Sequence, residues 1–249
     1  MHFICMGFER AGEWAQLDEA EQQRRMAKHQ EGLNRLFAQR SAAGRPHLSF
    51  SVGLHDPEVS TKMRFDGERH IITDGPFAES KEVLAGFDVI NFDSRDAAVE
   101  WNQSLGFDHK GHISEVRRVE GGGLIYHGHQ PTAATKYLLQ FAANPRPGTQ
   151  QAYDRVSTEY VYKGFMDESI CLATARLANP TEALTFRNRD GKIVASNGPF
   201  SDGRDALGGL VILDCASRDA ALDWARRYSS VAGVVTEVTR CGMWWAQLL

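Results

Sequence analysis

The chain sets short apolar runs around one long amphipathic segment, and then repeats the arrangement. Residues 2–8 are short, apolar and β-prone, which predicts a first strand. Asp18 with Glu21 resembles a capping box, with Asp in place of Ser or Thr, and marks a helix start. At about 100° per residue, Gln22, Met26, His29, Leu33, Leu36 and Phe37 fall on one stripe, so the helix runs to about Arg40. Gly44 and Pro46 stop it. Residues 48–54 and 59–65 alternate enough to be strands. Phe65-Asp66-Gly67-Glu68 makes a tight turn, and His70-Ile71-Ile72 returns from it. The Asp74-Gly75-Pro76-Phe77 loop comes next. Residues 84–91 predict a strand, Ser94 caps a second helix to about Gln103, and residues 112–119 predict the last strand.

This order is β-α-β-β-α-β with an extra hairpin. It predicts the split βαβ, ferredoxin-like α+β arrangement, an antiparallel sheet with both helices on one face. The other face needs cover, and a second sheet packed against it supplies one.

The chain carries that second sheet itself. Gly75-Pro76-Phe77 recurs as Gly198-Pro199-Phe200, a shift of 123 positions. The same shift takes Leu84-Ala85-Gly86-Phe87 onto Leu207-Gly208-Gly209-Leu210, and Trp101 onto Trp224. Ser94-Arg95-Asp96-Ala97-Ala98 reappears unchanged as Ser217-Arg218-Asp219-Ala220-Ala221. Glu115-Val116 meets Glu237-Val238 at a shift of 122, and Asp66-Gly67 meets Asp190-Gly191 at 124. At the N-terminus Met1-His2-Phe3 matches Lys136-Tyr137-Leu138 at 135, so about a dozen extra residues lie before or within the first copy's first helix. The reading is a copy over 1–123, a linker over 124–135 and a second copy over 136–249. The two pack as a pseudo-dimeric α/β barrel or sandwich, with a cleft between sheets and loops. Trp244-Trp245 is expected to cap one edge of the shared core.

Composition narrows the function. The net charge is −4 and the pI about 6.1, which argues against a broad nucleic-acid face. Arg24 and Arg25 follow Asp18, Glu19 and Glu21, so they read as a solvated face with local ion pairs. No apolar run is long enough to cross a bilayer, and the N-terminus lacks a signal peptide's basic region, which predicts a cytoplasmic protein. Cys5, Cys171, Cys215 and Cys241 form no zinc or CxxC spacing and read as small core residues. No Walker A, G-x-G-x-x-G or G-x-S-x-G pattern occurs.

The stretch His70-Ile71-Ile72-Thr73-Asp74-Gly75-Pro76-Phe77-Ala78-Glu79-Ser80-Lys81-Glu82-Val83-Leu84-Ala85-Gly86-Phe87, with the later Ala-Ala-x-x-Trp helix, resembles the hallmark of the DGPF family, related to the YCII proteins. The resemblance covers nearly all of the first copy and, more loosely, residues 184–240. It implies a dimeric α/β-barrel, ferredoxin-like fold and no settled activity. DGPF proteins often occur near sigma factors of the extracytoplasmic-function type, which is an association and not a mechanism. YCII-like proteins are thought to use a His near the first helix with an Asp in a pocket, and His29 resembles that His. The family's Asp follows the second-helix Trp by a few residues. Here that place reads Trp101-Asn102-Gln103-Ser104-Leu105-Gly106-Phe107-Asp108, which leaves Asp74 as the carboxylate candidate.

His29 and Asp74 are therefore the candidate catalytic pair, with Gly75, Pro76, Phe77 and Arg64 as candidate ligand-binding residues. A carboxylate at His29 would fix its tautomer and poise it for acid–base work. The competing reading is a His satisfied by a backbone carbonyl and an Asp that only shapes a turn. The second copy bears on this, because it reads Asn197-Gly198-Pro199-Phe200 and has none of the nine His. One working half and one degenerate half is the prediction. His127-Gly128-His129 would offer metal ligands if His109 or His112 came near, but a Gly-rich linker reads better as exposed. No metal or cofactor is expected. Arg64, Arg69 and Lys81 flank the Asp74 loop and read as strand-edge charge. Two functions compete: a small cofactor-independent enzyme doing proton transfer or hydrolysis on a small molecule, and a non-catalytic ligand- or protein-binding module, which the family resemblance would link to sigma-factor regulation. The edges of the pseudo-dimer leave room for a homodimer.

Overall fold

The computed structural model describes residues 1–41, 44, 46–54, 60–75, 82–105, 111–126, 135–142, 170–200, 206–232 and 236–246. In the first copy β1 (His2–Arg10) leads through a short turn of helix α1 (Glu13–Gln16) to α2 (Glu19–Ala38). The Asp18 side chain accepts the Glu21 N–H, so α2 starts at the predicted cap. β2 (Leu48–Leu54), the hairpin β3 (Thr61–Phe65) and β4 (His70–Asp74), β5 (Glu82–Asn91), α3 (Arg95–Ser104) and β6 (Ile113–Tyr126) follow. Ser94 caps α3 through the Ala97 N–H. The second copy supplies β7 (Tyr137–Ala142), β8 (Cys171–Leu177), the hairpin β9 (Leu184–Arg189) and β10 (Lys192–Asn197), β11 (Leu207–Leu213), α4 (Arg218–Ala232) and β12 (Thr236–Ala246). Residues 143–169, between β7 and β8, lie outside the described residues.

The sheet is antiparallel and closes on itself. The order β1-β5-β2-β12-β7-β11-β8-β6 returns to β1 through the β1–β6 pairing, which makes an eight-stranded barrel with few helices around it. Each copy contributes four neighbouring strands. The long strands β6 and β12 join the copies: β6 pairs β1 and then bends through Glu120-Gly121-Gly122-Gly123 to reach β8, and β12 pairs β7 and then β2. β6 thus runs through the expected start of the linker to Tyr126. Trp244 and Trp245 lie on β12 in the β12–β2 seam, paired with Val52 and Ser51. Closure leaves the eight barrel strands without a free edge among the described pairings.

The hairpins are exchanged. β3 of the first copy pairs β12 of the second, and β9 of the second pairs β6 of the first. Met63 on β3 is consequently buried in the core under α4, and Phe186 on β9 in the core under α2 and α3. A third core, with Ile4, Met6, Phe50 and Val89 from one copy and Leu138, Leu172, Leu210 and Ile212 from the other, fills the barrel. All four cysteines are buried, as the sequence suggested.

The strand registers correct one part of the repeat. Ile4 faces Val89 as Leu138 faces Ile212, so the N-terminal strands match at a shift of 134, not 135. A one-residue slip turns every side chain to the opposite face. The corrected shift sets Cys5 against Leu139 and Gly7 against Phe141.

Candidate functional site

Directly opposed residues in antiparallel strands project to the same face. Cys5 of β1, Asp88 of β5 and Ser51 of β2 form such a row, on the face covered by α2. Two positions along, Gly7, Gly86 and Gly53 form a second row. The stripe read from the sequence does face this sheet, but only its C-terminal part packs. Gly32, Leu33 and Leu36 are buried, whereas Gln22, Met26 and His29 line a cavity of about 780 Å³ between helix and sheet. Gly32 lets α3 approach, since a Cβ there would lie 2.2 Å from Leu105 Cδ2. The N-terminal part of α2 is held off the sheet by α1: Gln22 donates to the Trp14 carbonyl at 2.8 Å, and Arg25 pairs with Glu13 at 3.2 Å.

His29 and Asp88 meet in this cavity. His29 Nε2 lies 3.9 Å from Asp88 Oδ1, an ion-pair separation longer than a hydrogen bond. Asp88 is only 4% exposed, and its Oδ1 accepts no hydrogen bond among the described residues. Burial pushes the Asp88 carboxyl above the ordinary range, while the His29 charge and a hydrogen bond with Ser51 pull it part of the way back. Burial, with the Asp88 charge beside it, also holds the Cys5 thiol well above its ordinary value, so Cys5 is a protonated wall residue and no nucleophile near neutral pH. Arg24 and Arg25 at the rim are engaged by Glu21 at 2.7 Å each, as the charge pattern predicted. The Arg24 and then the Arg25 hydrogen bonds draw the Glu21 carboxyl down to about 2.

The structure does not bring His29 and Asp74 together. Asp74 ends β4 on the exchanged hairpin, exposed, and pairs at 2.8 Å with Arg218 at the start of the second copy's α4. Thr61 lies beside it, 3.4 Å from Oδ1. Asp74 is no part of the cavity. Gly75 has the left-handed φ of 104° that its turn needs, and its N–H bonds the Ser60 carbonyl at 2.9 Å. In the second copy Gly198 repeats both features, with φ 93° and a 2.9 Å bond to Ala183, although Asn197 replaces Asp. Asp and Asn thus give one turn. Arg64 is exposed on β3, away from the cavity lining. Pro76, Phe77, Lys81, His109, His127 and His129 lie outside the described residues. Asp74→Asn is expected to cost at most about 1 kcal/mol, the scale of an exposed ion pair. Urea melts of the variant check it, and a loss several times larger would give the pair a weight the geometry denies it.

Asp88 is the residue that motif reading missed. It sits inside the apolar run Phe87-Asp88-Val89-Ile90, where its counterpart 123 positions on is Val211. A carboxylate in a strand core opposite an apolar twin was the available signal.

Two comparisons bear on this geometry. The family model described as the YCII-related domain matches the chain twice, over residues 1–120 and 141–241. An uncharacterised protein of Rhizobium meliloti (strain 1021) is 43% identical over 56 residues, which is 22% of this chain and 45% of that relative. The match therefore spans less than half of the relative's length.

Proposed function

We propose, from the premise that this chain belongs to the YCII-related domain family, that its first copy is a small cofactor-independent enzyme performing proton transfer on a small molecule. The observation that carries the reading is the buried Asp88 carboxyl, one oxygen of which accepts no hydrogen bond among the described residues, facing His29 across a cavity. His29, partly open to the cavity, exchanges the proton with the substrate. Asp88 beneath it balances the imidazolium as it forms. Substrate entry displaces water from the cavity, which strengthens the attraction between the two groups. Hydrolysis through a cysteine has no support, because Cys5 keeps its proton.

The tandem reading of the fold belongs with this proposal. Residues 1–123 and 136–249 act as two split βαβ modules joined through 124–135, and the second serves as the dimer partner of the first. The strand orders β6-β1-β5-β2 and β12-β7-β11-β8 support it.

The test follows hydrogen exchange. Cyclic ketones and enols are incubated with the protein in D₂O, and loss of the α-proton signal is read by NMR. Exchange should slow by about 10²–10⁴ in either His29→Gln or Asp88→Asn. Binding without exchange, or exchange indifferent to both variants, would reject the enzyme and favour a non-catalytic ligand-binding module.

A further inference from the structure

The two copies treat the same space differently. By register, Gly7 opposite Gly86 in β1–β5 corresponds to Phe141 opposite Gly209 in β7–β11. Phe141 is 2% exposed, and its ring lies directly on Gly209: a Cβ there would be 2.3 Å from Phe141 Cζ. Tyr228 of α4 closes over that ring at a centroid distance of 4.8 Å. The neighbouring row is closed as well, since Leu139, Val211 and Thr174 stand where the first copy has Cys5, Asp88 and Ser51.

In the first copy the ring is missing. Gly86 itself is no evidence of a ligand, because a Cβ there would strike the Val52 carbonyl at 2.7 Å, just as one at Gly209 would strike Ala175 at 2.8 Å. Both glycines serve a shared bulge. Gly7 is different. A Cβ at Gly7 would meet nothing nearer than 3.9 Å, so no packing constraint demands glycine there. Its bareness leaves the sheet backbone uncovered at the floor of the cavity that Asp88, 4% exposed and with an Oδ1 that accepts no hydrogen bond among the described residues, also lines. Phe8, Trp14, Met26 and Leu54 contribute apolar walls.

We propose that the cavity binds a flat, largely apolar ring carrying a hydroxyl or enol group. The ring lies on the Gly7–Gly86 backbone, in the place that the second copy fills with its own Phe141, and the hydroxyl points to His29 and Asp88. This names a substrate class for the site proposed above and rests on that cavity being the site. The second copy is the same pocket permanently plugged, which is why it can lose its carboxylate and every histidine and keep its fold.

The test uses 4-methylphenol and 4-methylcyclohexanol, which share size and hydroxyl and differ in flatness. Binding is read from amide shifts of ¹⁵N-labelled protein. The flat probe should bind roughly threefold to tenfold more tightly, with the largest shifts at Gly7 and Gly86. Gly7→Phe, which copies the plug, should abolish binding with the wild-type amide pattern kept elsewhere. Gly7→Ala guards against a folding failure, because its methyl meets only ordinary contacts; it should weaken the flat probe severalfold. Binding of neither probe, equal binding of both, or Gly7 variants that bind like wild type would overturn the proposal. Ring binding with no proton exchange on any substrate would overturn the enzyme reading alone. Exchange on saturated substrates that Gly7→Phe leaves intact would overturn the ring alone.

Discussion

Arg117→Ala is expected to remove about 3–5 kcal/mol of folding stability, because it strands a buried charge. Arg117 is 1% exposed and lies on the barrel-facing side of β6, opposite Ile4. Its Nε is 3.0 Å from Glu115 Oε1, and its Nη1 donates to the Leu207 carbonyl at 2.6 Å. Glu115 Oε2 meanwhile accepts the Phe200 N–H at 2.8 Å, so one buried ion pair ties β6 to β11 and to the second copy's Asn-Gly-Pro-Phe turn. Truncating the arginine leaves Glu115 charged without its partner, strips the Leu207 carbonyl and opens a void. The double variant Glu115→Gln with Arg117→Met keeps an acceptor for Phe200 and fills the volume. It should recover much of the loss, since the penalty comes from the stranded charge and not from the lost attraction. Urea midpoints of the three proteins decide it. Equal losses in the single and double variants would contradict the argument.

Asp88→Val should move stability the other way, by about 1–4 kcal/mol in favour of the variant at neutral pH. The substitution places in the first copy the residue that the second already has as Val211. An unfolded Asp titrates near 3.9, and burial holds the folded carboxyl above that. Below about pH 4 both states keep the proton, and the carboxyl contributes its full share to stability. As pH rises through the folded value, the proton leaves a buried group and that share is lost. Valine titrates nothing, so the variant's advantage should grow from about pH 4 upward and level off above the folded value. An advantage independent of pH would mean that packing, not charge, separates the two proteins. The same variant should be dead in the exchange assay, which is the pattern of a residue kept for chemistry at the expense of the fold.

Much of the architecture was legible in the sequence because the signals were local. Asp18 and Ser94 cap the predicted helices, and Gly75 takes the left-handed turn. The repeat told that two like halves exist. The site was less legible, for two physical reasons. Asp74 stood in a conspicuous motif, yet it lies outside the cavity, pairs with Arg218, and ends at a turn that its asparagine twin also forms. Asp88 stood in a strand with no motif, and only pairing with β1 and β2 and the overlying α2 give it meaning. The N-terminal repeat was also set one residue off. That slip matched Gly7 to Ala142 instead of Phe141 and hid the most informative difference between the copies. The exchange of hairpins was beyond sequence pattern altogether, since β3 alternates in the same way whether it pairs β12 or a neighbour from its own half.

The closed ring of strands has a consequence for how the chain is made. β2 ends at Leu54, and the strand that must lie beside it, β12, begins only at Thr236. At ordinary elongation rates the ribosome delivers that partner roughly ten to forty seconds later. Throughout the interval the nascent first half presents an unpaired ladder on β2 and an unclosed barrel, and β3 lacks the strand on which its hairpin docks. Emergence of β12 therefore closes the barrel and docks the first hairpin in one step. Folding should be slow, late and nearly all-or-none, with the emerging chain dependent on chaperones until β12 is out.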